Sequence, residues 1–159
     1  MDKYKEKKSG TSAYNIGEIE TTIDLLSWLE KNATERKTVG IISPYKAHTI
    51  KLDEKVNPDL YPNLDIEINT VDAFQGREKQ IVIINFVRNN NQKEVGFIAN
   101  DSRMNVAISR AQELLFIVGN SDFVDDNKNR LPKVQNIKGE VQSRGRYLRA
   151  EEFMEEPYK

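Results

Sequence analysis

Apolar positions along this chain follow two alternating rhythms. From Ser12 onward, Ile16, Ile19, Ile23 and Leu26 recur at steps of three and four, and Trp28 and Leu29 widen the stripe. That spacing predicts an amphipathic helix, with Ser12 as its cap and Lys31-Asn32 as its end. Val39 to Ser43 (VGIIS) is a short β-branched run stopped by Pro44, the pattern of a strand buried on both faces. Tyr45 to Val56 returns to a weaker helical spacing, broken by Asn57-Pro58 and by the turn residues Tyr61-Pro62-Asn63. Ile66 to Thr70 and Gln80 to Phe86 predict a second and a third strand, the third nearly all apolar. Arg88 to Glu94 is polar and reads as a loop. Asp101 opens a helix with Met104, Ala107, Ile108 and Ala111 on one face. Leu114 to Gly119 gives a fourth strand, and Asn120-Ser121-Asp122 starts another helix.

Strands alternating with helices at this spacing imply a three-layer α/β fold with a mostly parallel central sheet and right-handed crossovers. The boundaries are a flexible, lysine-rich lead-in over residues 1–11, a folded domain over 12–127, and a tail over 128–159 that is first basic and then acidic. Between Lys128 and Arg149 there are seven basic residues against the single acid Glu140, with poor apolar periodicity.

Composition narrows the chemistry. The chain has 159 residues and no cysteine, which excludes disulfides, thiolate zinc sites and cysteine nucleophiles. His48 is the only histidine, so no metal site can be built from several imidazoles, and the expected place for His48 is a helix surface. A net charge of −1 gives no global electrostatic signal for nucleic acid. No apolar run has the length of a membrane span or a signal peptide, and a cytoplasmic protein without a membrane partner is the expectation.

In a parallel sheet, ligands bind beyond the carboxyl ends of the strands. That rule selects Ser43 to Lys46, Asn69 to Gly76, Phe86 to Arg88, and Gly119-Asn120. Two segments are chemically dense. The stretch Thr70 to Glu78 (TVDAFQGRE) packs an amide, a glycine, a guanidinium and a carboxylate between two strands. On the predicted helix Asp101 to Ala111, Arg103 and Arg110 share a face about 10 Å apart along the axis.

These residues carry a resemblance. VDAFQGREKQIVIINFVR (Val71 to Arg88) and RMNVAISRA (Arg103 to Ala111) are similar to motifs V and VI of superfamily 1 helicases, in the branch of the nonsense-mediated-decay helicase and senataxin. VGIISPYKAH resembles that branch's segment near motif IV, and SGTSAYNIGE the opening of its second RecA-like domain. Together they cover Ser9 to Ser121 in the family's order.

The resemblance implies the second of two RecA-like domains, with ATP and Mg2+ held mainly by the first and hydrolysed in the cleft between them. Arg110 would then be the arginine that reaches the γ-phosphate, from the strand-end crevice. Gln75, Gly76 and Glu78 would approach the nucleotide, Glu78 at the ribose. Arg103 would join that site by positioning the Val71–Arg88 segment rather than by holding phosphate. Ser43, Tyr45, Thr70, Val71 and Asp72 would line a groove for single-stranded DNA or RNA. No G-x-x-x-x-G-K-[ST] loop surrounds any of the eight glycines, and no apolar strand ends in Asp-Glu. The chain is therefore expected to lack its own Walker A loop, to be inactive alone and to work with the first RecA-like domain of its parent protein. The alternative is a non-catalytic α/β binding module for nucleic acid or protein, derived from a helicase.

Overall fold

The computed structural model describes residues 2–74 and 77–155, with side chains as far as residue 152. Its centre is a sheet of four parallel strands. In chain order these are β3 (Lys37–Ser43), β4 (Leu64–Thr70), β5 (Lys79–Asn85) and β6 (Ala111–Val118), preceded by a hairpin of β1 (Lys7–Ser9) and β2 (Ser12–Tyr14). The spatial order is β4-β3-β5-β6, with Ser43 opposite Thr70 at one end and Lys79 opposite Ala111 at the other. The helices are α1 (Ile16–Asn32), α2 (Lys46–Lys55), α3 (Asp101–Ile108), α4 (Ser121–Asp126), α5 (Pro132–Arg144) and α6 (Ala150–Glu155). No helix among the described residues is long and apolar enough to cross a membrane.

Strand alternation divides the core in two. Val39, Ile41, Ile81 and Ile83 face one way, toward Ile19, Leu26 and Leu29 of α1 and Leu52 of α2. Ile42, Val82 and Ile84 face the other, toward Met104 and Ala107 of α3, Phe123 of α4 and Val134 of α5. Both faces of the sheet are covered, which is why β3 and β5 read as nearly unbroken apolar runs. This is the three-layer α/β, RecA-like arrangement expected from the sequence.

Several expectations are corrected. Ser12 is in β2 and does not cap α1; its Oγ accepts from the Ala47 amide, in the first turn of α2, at 3.1 Å. Asn15 caps α1 instead, its side chain accepting from Glu18 N at 3.1 Å. Residues 2–11, expected as a flexible lead-in, make hydrogen bonds to distant segments. Lys3 O accepts from Gly17 N at 2.8 Å, Glu6 N donates to Asn89 O at 3.1 Å, and Tyr4 O accepts from Asn89 Nδ2 at 2.7 Å. Such links join distant segments and leave no trace in a local periodicity.

The basic stretch after residue 128 forms α5, docked through buried Leu131 and Val134 and by Lys138 on Asp125 at 2.7 Å. His48 is fully buried. Its Nδ1 accepts from Asn15 N at 3.2 Å, which leaves the proton on Nε2 to donate to Asn85 Oδ1 at 2.8 Å. Thr22 Oγ1 donates to the same oxygen at 3.0 Å. Desolvation lowers the His48 pKa to about 4, so the imidazole is neutral and knits α1, α2 and β5 together.

One connection matters most. Between β4 and β5 the chain crosses over β3 without a full helix, through a single 3₁₀ turn at Asp72–Phe74. Phe74 is fully buried on the α3 side of the sheet. It comes so close to β3 that a Cβ on Gly40 would lie 3.1 Å from its ring and 3.0 Å from Lys79 Cγ. The residues of this crossover therefore run from the carboxyl ends of the strands to their amino ends.

Candidate functional site

The sequence-selected residues separate along this crossover into two groups, at opposite ends of the sheet. At the carboxyl end, Ser43 and Thr70 are register partners. Ser43 is fully buried, and its Oγ accepts from Tyr45 N at 3.2 Å. Val71 is buried in the core beside Phe74. Tyr45 is 3% exposed; its hydroxyl accepts from Phe97 N at 3.0 Å and from Arg88 at 3.2 Å. Ser43, Tyr45 and Val71, expected to line a groove for single-stranded DNA or RNA, have their side chains buried within the fold. Thr70 is half-buried and Asp72 is exposed.

Arg88, which the sequence marked only as a strand end, anchors this region. Its Nε lies 3.1 Å from Glu6 Oε2 and its terminal nitrogen 3.3 Å from Glu94 Oε2. Its guanidinium sits 5.4 Å over the Tyr45 ring. Beside it, Val87 holds φ +70°, an uncommon conformation for a β-branched residue. A clamp maintains it: Val87 N donates to Glu18 Oε2 at 2.8 Å, and Val87 O accepts from Asn15 Nδ2 at 3.1 Å. Burial pushes the Glu18 carboxyl up to about 8, against the lowering effect of that amide.

Arg103 lies in the first turn of α3, whose cap is Asn100. Its guanidinium pairs with Asp72 at 3.3 Å and stacks 4.5 Å over the ring of Phe97. Arg103 is thus attached to the first residues of the crossover, at the carboxyl end.

Arg110 does not share a helix face with it. Helix α3 stops at Ile108, because the chain must turn there to enter β6. The Arg110 carbonyl accepts from Lys79 N at 2.9 Å, fixing Arg110 at the amino end of β5 and β6, away from the carboxyl-end crevice where it was expected. The strand-end rule fails here because the crossover carries its last residues the length of the sheet. The Arg110 side chain is half-buried. It donates to Val106 O at 3.2 Å, Ser109 Oγ at 3.1 Å and Arg77 O at 3.5 Å. All three acceptors are neutral; among the described residues no carboxylate pairs with it.

Next to it, Glu78 is exposed and accepts from Gln112 Nε2 at 3.1 Å. Arg77 pairs with Glu67 and lies 5.2 Å over the Phe74 ring. Gln75 and Gly76 lie outside the described residues. The arrangement offers a half-buried guanidinium, without a carboxylate partner among the described residues, that can donate to anionic oxygens, and an accessible carboxylate that can accept from hydroxyls. No group of three acidic or histidine side chains that could hold a metal occurs among the described residues.

A family model described as an AAA domain matches residues 1–122. The chain belongs to this family, among the superfamily 1 helicases. The helicase domain is 35% identical over 143 residues, 90% of its length, to DNA polymerase alpha-associated DNA helicase A of Saccharomyces cerevisiae. It is 31% identical over 136 residues, 84% of its length, to the human probable helicase senataxin. It is 38% identical over 119 residues, 71% of its length, to regulator of nonsense transcripts 1 of Caenorhabditis elegans. The matched stretches cover 21%, 5% and 11% of those proteins, so this helicase domain corresponds to a small part of each.

Sequence reading missed Phe97 and gave Arg77 and Arg88 no role of their own. For Phe97 a signal existed: Val95-Gly96-Phe97-Ile98 is a short apolar island between two polar, asparagine-containing stretches.

Proposed function

We propose that this domain is the second RecA-like motor domain of an ATP-dependent superfamily 1 helicase. It supplies Arg110 to a triphosphate seated on the first domain, and part of the groove for single-stranded DNA or RNA. The observation that carries the reading is the state of Arg110. A half-buried guanidinium whose acceptors among the described residues are all neutral is held in place yet keeps its charge uncommitted.

Phosphoryl transfer spreads negative charge over the equatorial oxygens of the transferred group, and a guanidinium positioned there stabilises it. Glu78 would orient the ribose from the same end of the sheet. Nucleic acid would contact Thr70 and Asp72 at the other end. Movement at one end reaches the other through the crossover, which Phe74 presses against β3. Closure on the first domain then brings Arg110 to the phosphate, and release after hydrolysis resets it.

The test is nucleic-acid-stimulated ATPase of the full-length protein carrying Arg110→Ala. Turnover falls by ~10³- to 10⁵-fold while nucleotide still binds; near-normal turnover overturns the reading. The isolated 159-residue chain shows no ATPase. If full-length protein binds single strands but has no ATPase even with wild-type Arg110, the non-catalytic module is the correct description.

A further inference from the structure

Burial of Tyr45 removes the aromatic expected to face a nucleic-acid strand, yet the same corner of the fold exposes another. Phe97 is 45% exposed. It lies where three carboxyl-end segments meet, because Tyr45 follows β3, Asp72 follows β4, and Arg103 opens α3. We propose that Phe97 is a stacking platform for a base of single-stranded nucleic acid. This assignment rests on the nucleic-acid reading proposed above and gives it a contact residue.

Three observations support it. The residue is held in place: Phe97 N donates to the buried Tyr45 hydroxyl at 3.0 Å, Phe97 O accepts from Asn100 N at 3.0 Å, and its ring packs at a tilt 5.6 Å from that of Tyr45. Gly96 makes this approach possible. It has φ +56°, and a Cβ there would fall 2.2 Å from the Tyr45 hydroxyl and 2.8 Å from the Arg88 guanidinium. An exposed aromatic fixed in this way loses little conformational entropy when something stacks on it.

The Arg103 guanidinium stacks on the ring at 4.5 Å and is itself tied to Asp72. Aromatic and guanidinium planes together form the kind of surface on which bases stack whatever their sequence. Finally, the exposed part of the ring is not joined to a wider apolar patch. Gly96, Ala99, Asn100 and Asp101 around it are exposed, and none adds a large apolar side chain. A protein partner would need a wider apolar patch; a single base does not.

The experiment titrates the 159-residue chain into fluorescein-labelled oligothymidylate and oligouridylate at low salt, reading anisotropy. Phe97→Ala and Phe97→Leu weaken binding roughly 5- to 150-fold. They leave the dependence on salt unchanged, because no phosphate contact is lost. Phe97→Trp restores wild-type affinity. The two probes show whether the platform takes DNA, RNA or both. Thermal melts verify that each variant is folded; Leu keeps apolar bulk but has no π-face, which separates stacking from packing. If wild type binds and Phe97→Leu binds equally well, the platform is overturned while the nucleic-acid reading stands. If the wild-type chain binds neither strand, the nucleic-acid reading fails and the platform with it.

Discussion

The two ends of the sheet differ in how they treat arginine. At the carboxyl end, Arg88 is buried against Glu6 and stacked on Tyr45, and Arg103 is paired with Asp72 and stacked on Phe97. Each has a carboxylate and an aromatic ring. At the amino end, Arg77 is likewise paired with Glu67 and set over Phe74, whereas its neighbour Arg110 has backbone carbonyls and a hydroxyl. A buried charge needs a partner of opposite sign, so Arg88 is committed to the fold. A half-buried charge can rely on neutral acceptors and water, and so remains available to a ligand. The residue type is the same in all four; the partner separates scaffold from site.

This contrast can be broken experimentally. The largest expected effect is a crossed comparison in the full-length protein. Arg110→Ala lowers ATP turnover by ~10³- to 10⁵-fold without weakening strand binding, whereas Thr70→Ala weakens strand binding and spares turnover at saturating strand. If both variants lose the same property, the two ends are not functionally distinct.

Next in size is Phe74→Ala, which removes the fully buried ring under the crossover. It costs about 3–5 kcal/mol of stability, read from chemical denaturation of the 159-residue chain. A smaller loss would mean that the crossover does not hold the two ends together.

The carboxyl end should also set the pH dependence of stability. The folded Glu18 carboxyl, at about 8 against 4.5 in the unfolded chain, holds its proton more tightly when folded. Its contribution is complete below 4.5 and is lost as the pH rises toward 8. Folded His48, at about 4 against 6.5, resists protonation. Its contribution is complete above 6.5 and is lost as the pH falls toward 4. Between 4.5 and 6.5 the two slopes offset, so urea midpoints should be highest there and fall on both sides. Glu18→Gln removes the alkaline limb and stabilises by on the order of 2 kcal/mol at pH 8. An unchanged alkaline limb would refute it.

The smallest effect is that of Asp72→Asn. It breaks an exposed pair with Arg103 and costs less than about 1 kcal/mol of stability. Its informative readout is the degree to which single strands stimulate ATPase, which should decline.

The two inner strands, β3 and β5, were legible because burial on both faces leaves a run of Val and Ile with little to confuse it. Strand ends were less so. Strand β6 begins at Ala111, three residues before its apolar run, since hydrogen bonding to β5 sets that boundary. The β1–β2 hairpin was invisible because three-residue strands carry no usable period. Among site residues, the segments Val71 to Arg88 and Arg103 to Ala111 pointed to the right family. Neither their burial nor the end of the sheet that each residue occupies could be read from them.

Taken alone, the order of residues determined the parallel α/β class and the helicase family, because both are written in local patterns: runs of apolar residues, and short polar strings of fixed spacing. Tertiary structure decided which polar residues are available. His48 looks like a surface group along the chain, Tyr45 stands where the family lines its groove, and Arg110 looks like a helix residue beside Arg103. Packing buried the first two and placed Arg110 at the far end of the sheet, because contacts between residues distant in sequence fix burial and direction, and no local pattern encodes them.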